Sequence, residues 1–596
     1  MTEHLGLVPH LVEREHRAEG VVVLRSGYPL AEPVRSTGVW LDQWARAAPD
    51  RTFLAERSGP GWHKTTYAEA QARVRRLAAG LLDLGLEGPI LILSGNSVDH
   101  GLLTLAAQYV GLVTVPVAEQ YSLIPAARGR LRYVVDLVRP AMVFADDAVA
   151  FADGFAVAGC PAYCSNPGNT SVPPLSTLEQ GGDVQAAHEA VGPDHVAKLL
   201  LTSGSTSDPK AVETTHRMMT TNQVQIATCL PFLTARPPVL VDWLPWNHVF
   251  GGSHNFNIVL ANGGTLYIDD GKPLPARFPR TVENLGLVSG TVSFNVPVGF
   301  AQLIKALEAD EALRRAYFRD LDMIFYAGAS LPQEVWAKLE RMALDTSGRM
   351  PLITTSWGLT ETAPAALLQH QPSKGAGIVG VPLPGVEVKL LDVGDGRMDV
   401  RVRGPNVFGR YHRDVTKTAE AHDYEGFFIT GDAMRFADDT DVAQGLAFDG
   451  RLSEDFKLST GTWVQAANVR LEMLAQLGPL AQDVVVCGHG RDTLGLLIVP
   501  GPASAAGTAD AGALLSDAAP ELRRCLDMHL SHASGSARQV TRLLVMAEPP
   551  DMGAGEVTAK GNLNFAKVLQ RRSALVDRLY DDADPAVVLP TDQMMH

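Results

Sequence analysis

The chain has 596 residues, 46% apolar and 20% charged, too long for one hydrophobic core and therefore expected to form two or more domains. Its formal net charge of −15 opposes non-specific attraction to nucleic acid or to an anionic membrane. No uninterrupted apolar stretch reaches the roughly 18 residues that suggest a membrane-spanning helix.

The first residues, Met1-Thr2-Glu3-His4-Leu5-Gly6-Leu7-Val8-Pro9-His10, lack the basic start and apolar centre of a signal peptide, so a cytoplasmic location is expected. Five scattered cysteines, Cys160, Cys164, Cys229, Cys487 and Cys525, suit reduced thiols. Cys160 and Cys164 have no second Cys or His pair at ligand spacing nearby, and no structural zinc is expected.

Residues 1–38 read as an irregular N-terminal extension with one short strand at Val21-Val22-Val23-Leu24. From Val39 helical stretches such as 67–84 alternate with strand-like runs at 89–93, 112–117 and 142–144, and a further helix is expected at 281–287. That alternation predicts an α/β fold with parallel-type sheets and covering helices. Around 377–448 the texture changes to short runs, at 386–391 and 399–403, broken by Gly, Pro and Asp. They predict a small antiparallel or barrel-like unit that closes the large domain. The expected boundaries are 39–452 for the large domain and 453–596 for a smaller α+β domain. Within the latter, the Ala- and Gly-rich stretch 501–512 is expected to be a loop.

The apolar run 196–201 has the length of a short buried strand, and it runs into Thr202-Ser203-Gly204-Ser205-Thr206-Ser207-Asp208-Pro209-Lys210. This segment gathers hydroxyls, free backbone N–H groups and one ammonium, which together suit a polyphosphate. It is not the Gly-x-x-x-x-Gly-Lys-Ser/Thr loop, because Pro209 stands directly before the lysine. Taken alone, it reads equally well as a solvated turn.

Other segments follow in a fixed order. They are Tyr326-Ala327-Gly328-Ala329-Ser330-Leu331-Pro332, Thr354-Thr355-Ser356-Trp357-Gly358-Leu359-Thr360-Glu361, Phe428-Ile429-Thr430-Gly431-Asp432, Gly450-Arg451-Leu452-Ser453-Glu454-Asp455-Phe456-Lys457 and Glu556-Val557-Thr558-Ala559-Lys560-Gly561. This series, over roughly residues 40 to 572, resembles the adenylate-forming superfamily of acyl- and aryl-CoA synthetases, luciferases and peptide-synthetase adenylation domains. Within it, Trp243-Leu244-Pro245-Trp246-Asn247-His248-Val249-Phe250-Gly251-Gly252, Tyr267-Ile268-Asp269-Asp270-Gly271-Lys272-Pro273 and the stretch 454–464 look like feruloyl-CoA synthetase.

The resemblance implies an AMP-forming ligase that couples a hydroxycinnamic or related aromatic acid to coenzyme A, using ATP and Mg²⁺, with a mobile C-terminal domain. Thr202, Ser203, Gly204, Ser205, Thr206 and Lys210 would hold the β- and γ-phosphates. Thr360 would meet the α-phosphate, and Glu361 would bind Mg²⁺. Ser356 and Trp357 would meet the adenine on one side and Ala327, Gly328 and Ala329 on the other, while Asp432 and Arg451 would hold the ribose. Arg451 would support the ribose or the phosphate, and a surface ion pair is the alternative reading of Arg451 and of Asp432.

Lys560 would stabilise the adenylation transition state. Because it precedes Gly561 rather than following a glycine, Lys567 is a rival. Ser453 stands at the hinge and Lys457 beside the thiol tunnel, while Ser207 replaces the family's usual glycine. His248 would gate an acyl pocket lined by Val249, Phe250, Phe294, Val296, Pro297, Tyr326 and Gly328. His254, Asn255, Val298 and Phe300 are further candidates, with core packing as the alternative. Other readings are a ligase for another aromatic or medium aliphatic acid, an adenylation domain serving a carrier protein in trans, and a catalytically silent nucleotide-binding homologue. Neither nucleic acid nor a membrane is an expected partner, and a homodimer is compatible with the sequence.

Overall fold

The computed structural model describes residues 3–202, 209–274, 276–373, 375–551, 554–557 and 563–591. Ser203, Gly204, Ser205, Thr206, Ser207 and Lys560 lie outside the described residues.

Three sheets build the large N-terminal part. In the six-stranded sheet the order is Lys210–Thr215, Val196–Thr202, Thr114–Pro116, Ile90–Ile92, Met142–Asp147, Ala162–Asn166. Its pairs are parallel except the first, which is antiparallel. Parallel strands buried on both faces read as continuous apolar runs, which is how Ile90-Leu91-Ile92 announces itself. The helix Tyr67–Asp83 begins where Thr66 and Glu69 form a reciprocal capping box, satisfying two backbone N–H groups that the first turn leaves free.

An eleven-stranded sheet runs from the hairpin Val12–His16 and Val22–Ser26, through the antiparallel strands between Ile378 and Arg451, to the parallel strands Leu352–Gly358, Met323–Tyr326 and Val292–Asn295. Its antiparallel part curls until Ile378–Pro382 approaches Val22–Ser26, the barrel-like unit expected from the sequence. A four-stranded sheet, Val239–Asp242, Thr265–Ile268, Thr52–Ser58, Gly61–Thr66, completes the set.

The N-terminal extension is not irregular. Val22–Ser26 pairs with Glu387–Gly394, and Val12–His16 pairs with Val22–Ser26. The outer strand, Val-Glu-Arg-Glu-His, is mostly polar, a composition that protects a sheet edge from further pairing but conceals the strand from a hydrophobicity reading.

After Arg451 a single 3₁₀ turn, Leu452–Glu454, leads into the C-terminal part. There Ala481–Cys487 and Leu494–Pro500 alternate: Val484, Val486, Leu496 and Ile498 join one core, and Val485, Cys487, Leu497 and Val499 the other. Both faces are therefore covered by helices, Ala466–Leu477 and Ala519–His532 on one side, Phe565–Arg571 and Ser573–Leu579 on the other. The stretch 501–512 also differs from expectation: Gly507–Asp510 pairs with Ala513–Ser516. Ala511 and Gly512 both have positive φ, 43° and 85°, the backbone that a two-residue hairpin turn demands. No helix among the described residues is long and apolar enough to cross a membrane.

Candidate active site

The sheets bring the nucleotide-side candidates together in two groups. Asp432 and Arg451 are cross-strand partners in the eleven-stranded sheet. Trp357, near the end of Leu352–Gly358, donates its indole N–H to Asp432 Oδ2 at 2.9 Å. Arg451 Nε stands 3.2 Å from Oδ1, yet Oδ1 makes no hydrogen bond among the described residues, which leaves a buried acceptor. Burial pushes the Asp432 carboxyl up, against the pull of Arg451 and the indole. Glu454, part of a quoted motif but given no role in the sequence reading, is held up by burial beside the same Arg451. Arg451 is thus paired with a buried carboxylate rather than with a surface one.

The second group joins three elements. Lys210 sits opposite Thr202 in the antiparallel strand pair on either side of residues 203–208. Lys210 Nζ donates to Tyr411 Oη at 3.1 Å and lies 4.2 Å from the centre of that ring. Tyr411 donates in turn to Glu361 Oε1 at 2.9 Å. Burial lowers the Lys210 pKa, while the Glu361 charge opposes that shift. Thr202 Oγ1 is buried with no hydrogen-bond partner among the described residues, an orphan of the sort a ligand oxygen satisfies.

Glu361 and Thr360 are buried in the 3₁₀ turn Thr360–Thr362, and three buried amides hold the chain that follows. Asn222 Nδ2 donates to the Ala365 carbonyl at 2.8 Å, and Asn406 Nδ2 to the Thr362 carbonyl at 2.8 Å. Gln225 Nε2 donates to Asn406 Oδ1 at 3.2 Å. A satisfied buried network of this kind fixes one backbone conformation. Tyr411, Asn222, Gln225 and Asn406 escape a sequence reading because, apart from the Asn222–Gln225 bond three positions apart, the side-chain bonds that tie them together and to Lys210, Glu361 and the chain after it span 41 to 201 positions. The one local signal is a run of polar residues, Thr220-Thr221-Asn222-Gln223, along a helix that is buried almost throughout.

The acyl-side candidates form a ring cluster. Phe250, His254, Phe294 and Phe325 lie with ring centres 5.1 to 6.0 Å apart in tilted and edge-to-face contacts. Phe250 and His254 come from the π-helical turn Phe250–Asn255; such turns cluster at functional sites. Its two glycines are required by close approach, since an ideal Cβ on Gly251 would lie 2.4 Å from the Leu244 carbonyl oxygen and one on Gly252 2.1 Å from that of Trp246. His254 Nδ1 is 2.9 Å from Asn255 Oδ1, and Asn255 Nδ2 donates to Asp242 Oδ2 at 2.8 Å. Burial drives His254 down to about 4 and Asp242 up to about 7, so both tend to neutrality. His248 Nδ1 accepts from the Phe250 N–H at 3.2 Å, and Val249 is buried next to it.

Several expectations need correction. Tyr326 does not face this cluster. On Met323–Tyr326, Met323 and Phe325 join the large core, while Ile324 and Tyr326 join the core around Trp336. Strand side chains alternate by two, so choosing Tyr326 over Phe325 selects the wrong face. Phe300 is fully buried in the Trp336 core, and Val298 is 56% exposed. Val296 and Pro297 are half-buried where Pro297–Ala309 begins, and Ala327, Gly328 and Ala329 follow Tyr326 in an exposed loop.

Ser453 is exposed in the turn at the expected boundary. Lys457, on the small hairpin Phe456–Lys457 with Trp463–Val464, is exposed with Nζ 4.8 Å from the Trp463 ring centre. Lys567 donates to Gln570 at 3.2 Å. Among the described residues no hydrogen bond or ion pair joins Lys457 or Lys567 to the groups around Asp432 and Glu361.

A buried carboxylate flanked by an indole and a guanidinium, beside a lysine linked through a tyrosine to a second buried carboxylate, is an arrangement suited to a nucleotide and its metal. Comparison with known proteins agrees. The model of the AMP-binding enzyme family matches residues 41–412, and that of the AMP-binding enzyme C-terminal domain matches 456–584. The chain belongs to the AMP-binding enzyme family. It is 26% identical over 503 residues to fatty acyl-CoA synthetase A of Dictyostelium discoideum, covering 74% of this chain and 72% of that protein. It is 24% identical over 490 residues to the mitochondrial malonate–CoA ligase ACSF3 of Xenopus laevis, covering 75% and 80%. Among solved structures, ATP-bound MatB from Rhodopseudomonas palustris superposes with a TM-score of 0.68 at 22% identity, over 91% of this chain and 99% of that one.

Proposed function

We propose that this AMP-forming acid–CoA ligase activates an aromatic carboxylic acid of the hydroxycinnamate kind and passes the acyl group to coenzyme A. The observation that carries the choice of acid is the ring cluster Phe250, His254, Phe294 and Phe325. Edge-to-face ring contacts suit a planar aromatic guest, and the cluster contains no cation to receive the second carboxylate of malonate. The fatty acyl synthetase among the relatives favours a second reading, a saturated chain against the same apolar walls.

ATP, Mg²⁺ and coenzyme A are the ligase's co-substrates and metal. A carboxylate alone does not acylate a thiol at neutral pH, because its leaving group is poor; coupling to AMP supplies a good one. In this reading Lys210, Thr202 and the segment 203–206 grip the β- and γ-phosphates, and Thr360 meets the α-phosphate. The free acceptor on Asp432 takes a ribose hydroxyl, with Arg451 alongside. Glu361 fits Mg²⁺, a hard cation that takes one or two protein carboxylates and completes its shell with phosphate oxygens and water. Bound there, the metal would neutralise charge on the phosphates. Lys560 or Lys567 would stabilise the adenylation transition state, with Ser453 the pivot between 39–452 and 453–596 and Lys457 brought to the thiol by that movement.

The test is acid-dependent ATP–pyrophosphate exchange over hydroxycinnamates, benzoates, medium and long fatty acids and malonate, followed by thioester formation with CoA. Ring-bearing acids should exchange fastest. A malonate preference would overturn the aromatic reading, and exchange without thioester would point to a carrier protein instead.

A further inference from the structure

Lys198 has no place in the chemistry above, yet its position is costly. It lies on Val196–Thr202, four residues before Thr202, and is 4% exposed. Its Nζ donates to the Gly252 carbonyl at 2.5 Å, inside the π-helical turn. The small cavity beside it, about 10 Å³, is lined by His100, Gly101, Thr104, Pro116, Trp246, Gly252 and Phe256, with no carboxylate among them. Thr104 Oγ1 is buried there without a hydrogen-bond partner among the described residues. Burial alone lowers the Lys198 pKa, and no acidic neighbour opposes it.

A buried cation without a counter-charge destabilises a fold. One ammonium-to-carbonyl hydrogen bond offsets only part of that penalty. A methionine would fill similar volume without a buried charge, at the cost of the lysine's hydrogen bond to the Gly252 carbonyl. The observed lysine ties two elements by a hydrogen bond: the strand Val196–Thr202 and the turn that carries Phe250 and His254.

We propose that Lys198 is a positioning residue that sets the acyl-side turn relative to the phosphate loop, fixing the Gly252 carbonyl and with it the two rings that meet the acid. The proposal rests on the reading of Phe250–Asn255 as part of the acyl wall, but not on which acid is bound.

Lys198→Met and Lys198→Arg should be assayed by pyrophosphate exchange with whichever acid of the panel works best, alongside thermal unfolding. Lys198→Met should raise the KM for the acid about tenfold while the KM for ATP stays within twofold, with a Tm equal to or above that of the wild type. Lys198→Arg, which retains a donor and a charge, should recover at least half of the lost affinity. A structural lysine predicts the opposite pattern, a lowered Tm with both KM values changed together, and that result would overturn the proposal, as would an unchanged acid KM. If Lys198→Met yields no folded protein, the acid KM is read instead from a milder substitution in the same cavity. Thr104→Val, isosteric and facing the same cavity, then supplies a second test, with a two- to threefold rise in acid KM expected and no rise overturning it. Exchange that follows this pattern with a fatty acid would refute the aromatic reading alone and leave the role of Lys198 standing.

Discussion

The nucleotide side and the acyl side of the site treat charge in opposite ways. Around Asp432, Arg451 and Trp357, and along Lys210, Tyr411 and Glu361, each ionisable group has a hydrogen-bonding or oppositely charged neighbour within 3.2 Å. On the acyl side the ionisable groups, Asp242, His254 and Lys198, are buried among apolar and amide neighbours with no opposite charge beside them; burial drives each toward its neutral form, as it also does Asp432 and Lys210. Charges held in place before the ligand arrives need no reorganisation when phosphates bind. His254, at about 4, is neutral at pH 7, whereas Lys198, at about 8, stays largely protonated there and directs its charge at the Gly252 carbonyl.

Substitutions on the two sides should therefore separate cleanly. The largest effect is expected for Glu361→Gln, which removes the carboxylate proposed for Mg²⁺ and should slow pyrophosphate exchange by about 100-fold or more with every acid. A slowing confined to one acid would break the division. Next, Asp432→Asn should raise the KM for ATP roughly 30-fold, the worth of a charged hydrogen bond, and leave the ranking of acids unchanged in the same assay. On the other side, Phe325→Leu should shift the ratio of kcat/KM between ring-bearing and saturated acids by about tenfold. Tyr326→Phe, on the opposite face of that strand, should leave the ratio as it is, and a shift there would reverse the face assignment.

A different readout, outside that ranking of activities, is a pH dependence of stability. Lys198 in the folded protein sits at about 8 against an ordinary 10.5, so the unfolded chain holds the proton more tightly. The penalty is full below pH 8 and fades as pH rises toward 10.5, a gain of about 3 kcal/mol to the wild type over that window. His100, at about 4, and His216, at about 3, stay neutral throughout it. Unfolding measurements from pH 8 to 10.5 should show any stability advantage of Lys198→Met shrinking as pH rises; a constant difference would mean that burial does not lower the Lys198 pKa and that the ammonium stays protonated across the window.

How much of this was legible beforehand depended on sequence separation. The helix Tyr67–Asp83 was readable because its capping box and apolar spacing lie within one segment. The outer N-terminal strand was not, because its composition answers to solvent and its partner lies on a neighbouring strand rather than in its own pattern. Ala511-Gly512 was read as loop because an alanine at positive φ carries no turn signal.

The ordered motifs by themselves determined the α/β class, the AMP-binding family and the residue types proposed for phosphates, metal and ribose, because that chemistry is written in short contiguous stretches. Only the tertiary structure decided which face of Met323–Tyr326 joins the ring cluster, that Tyr411 joins Lys210 to Glu361, and that Lys198 reaches Gly252. The reason is geometric: a strand presents its residues to two faces, and a hydrogen bond between elements 50 or 200 positions apart has no periodicity to betray it.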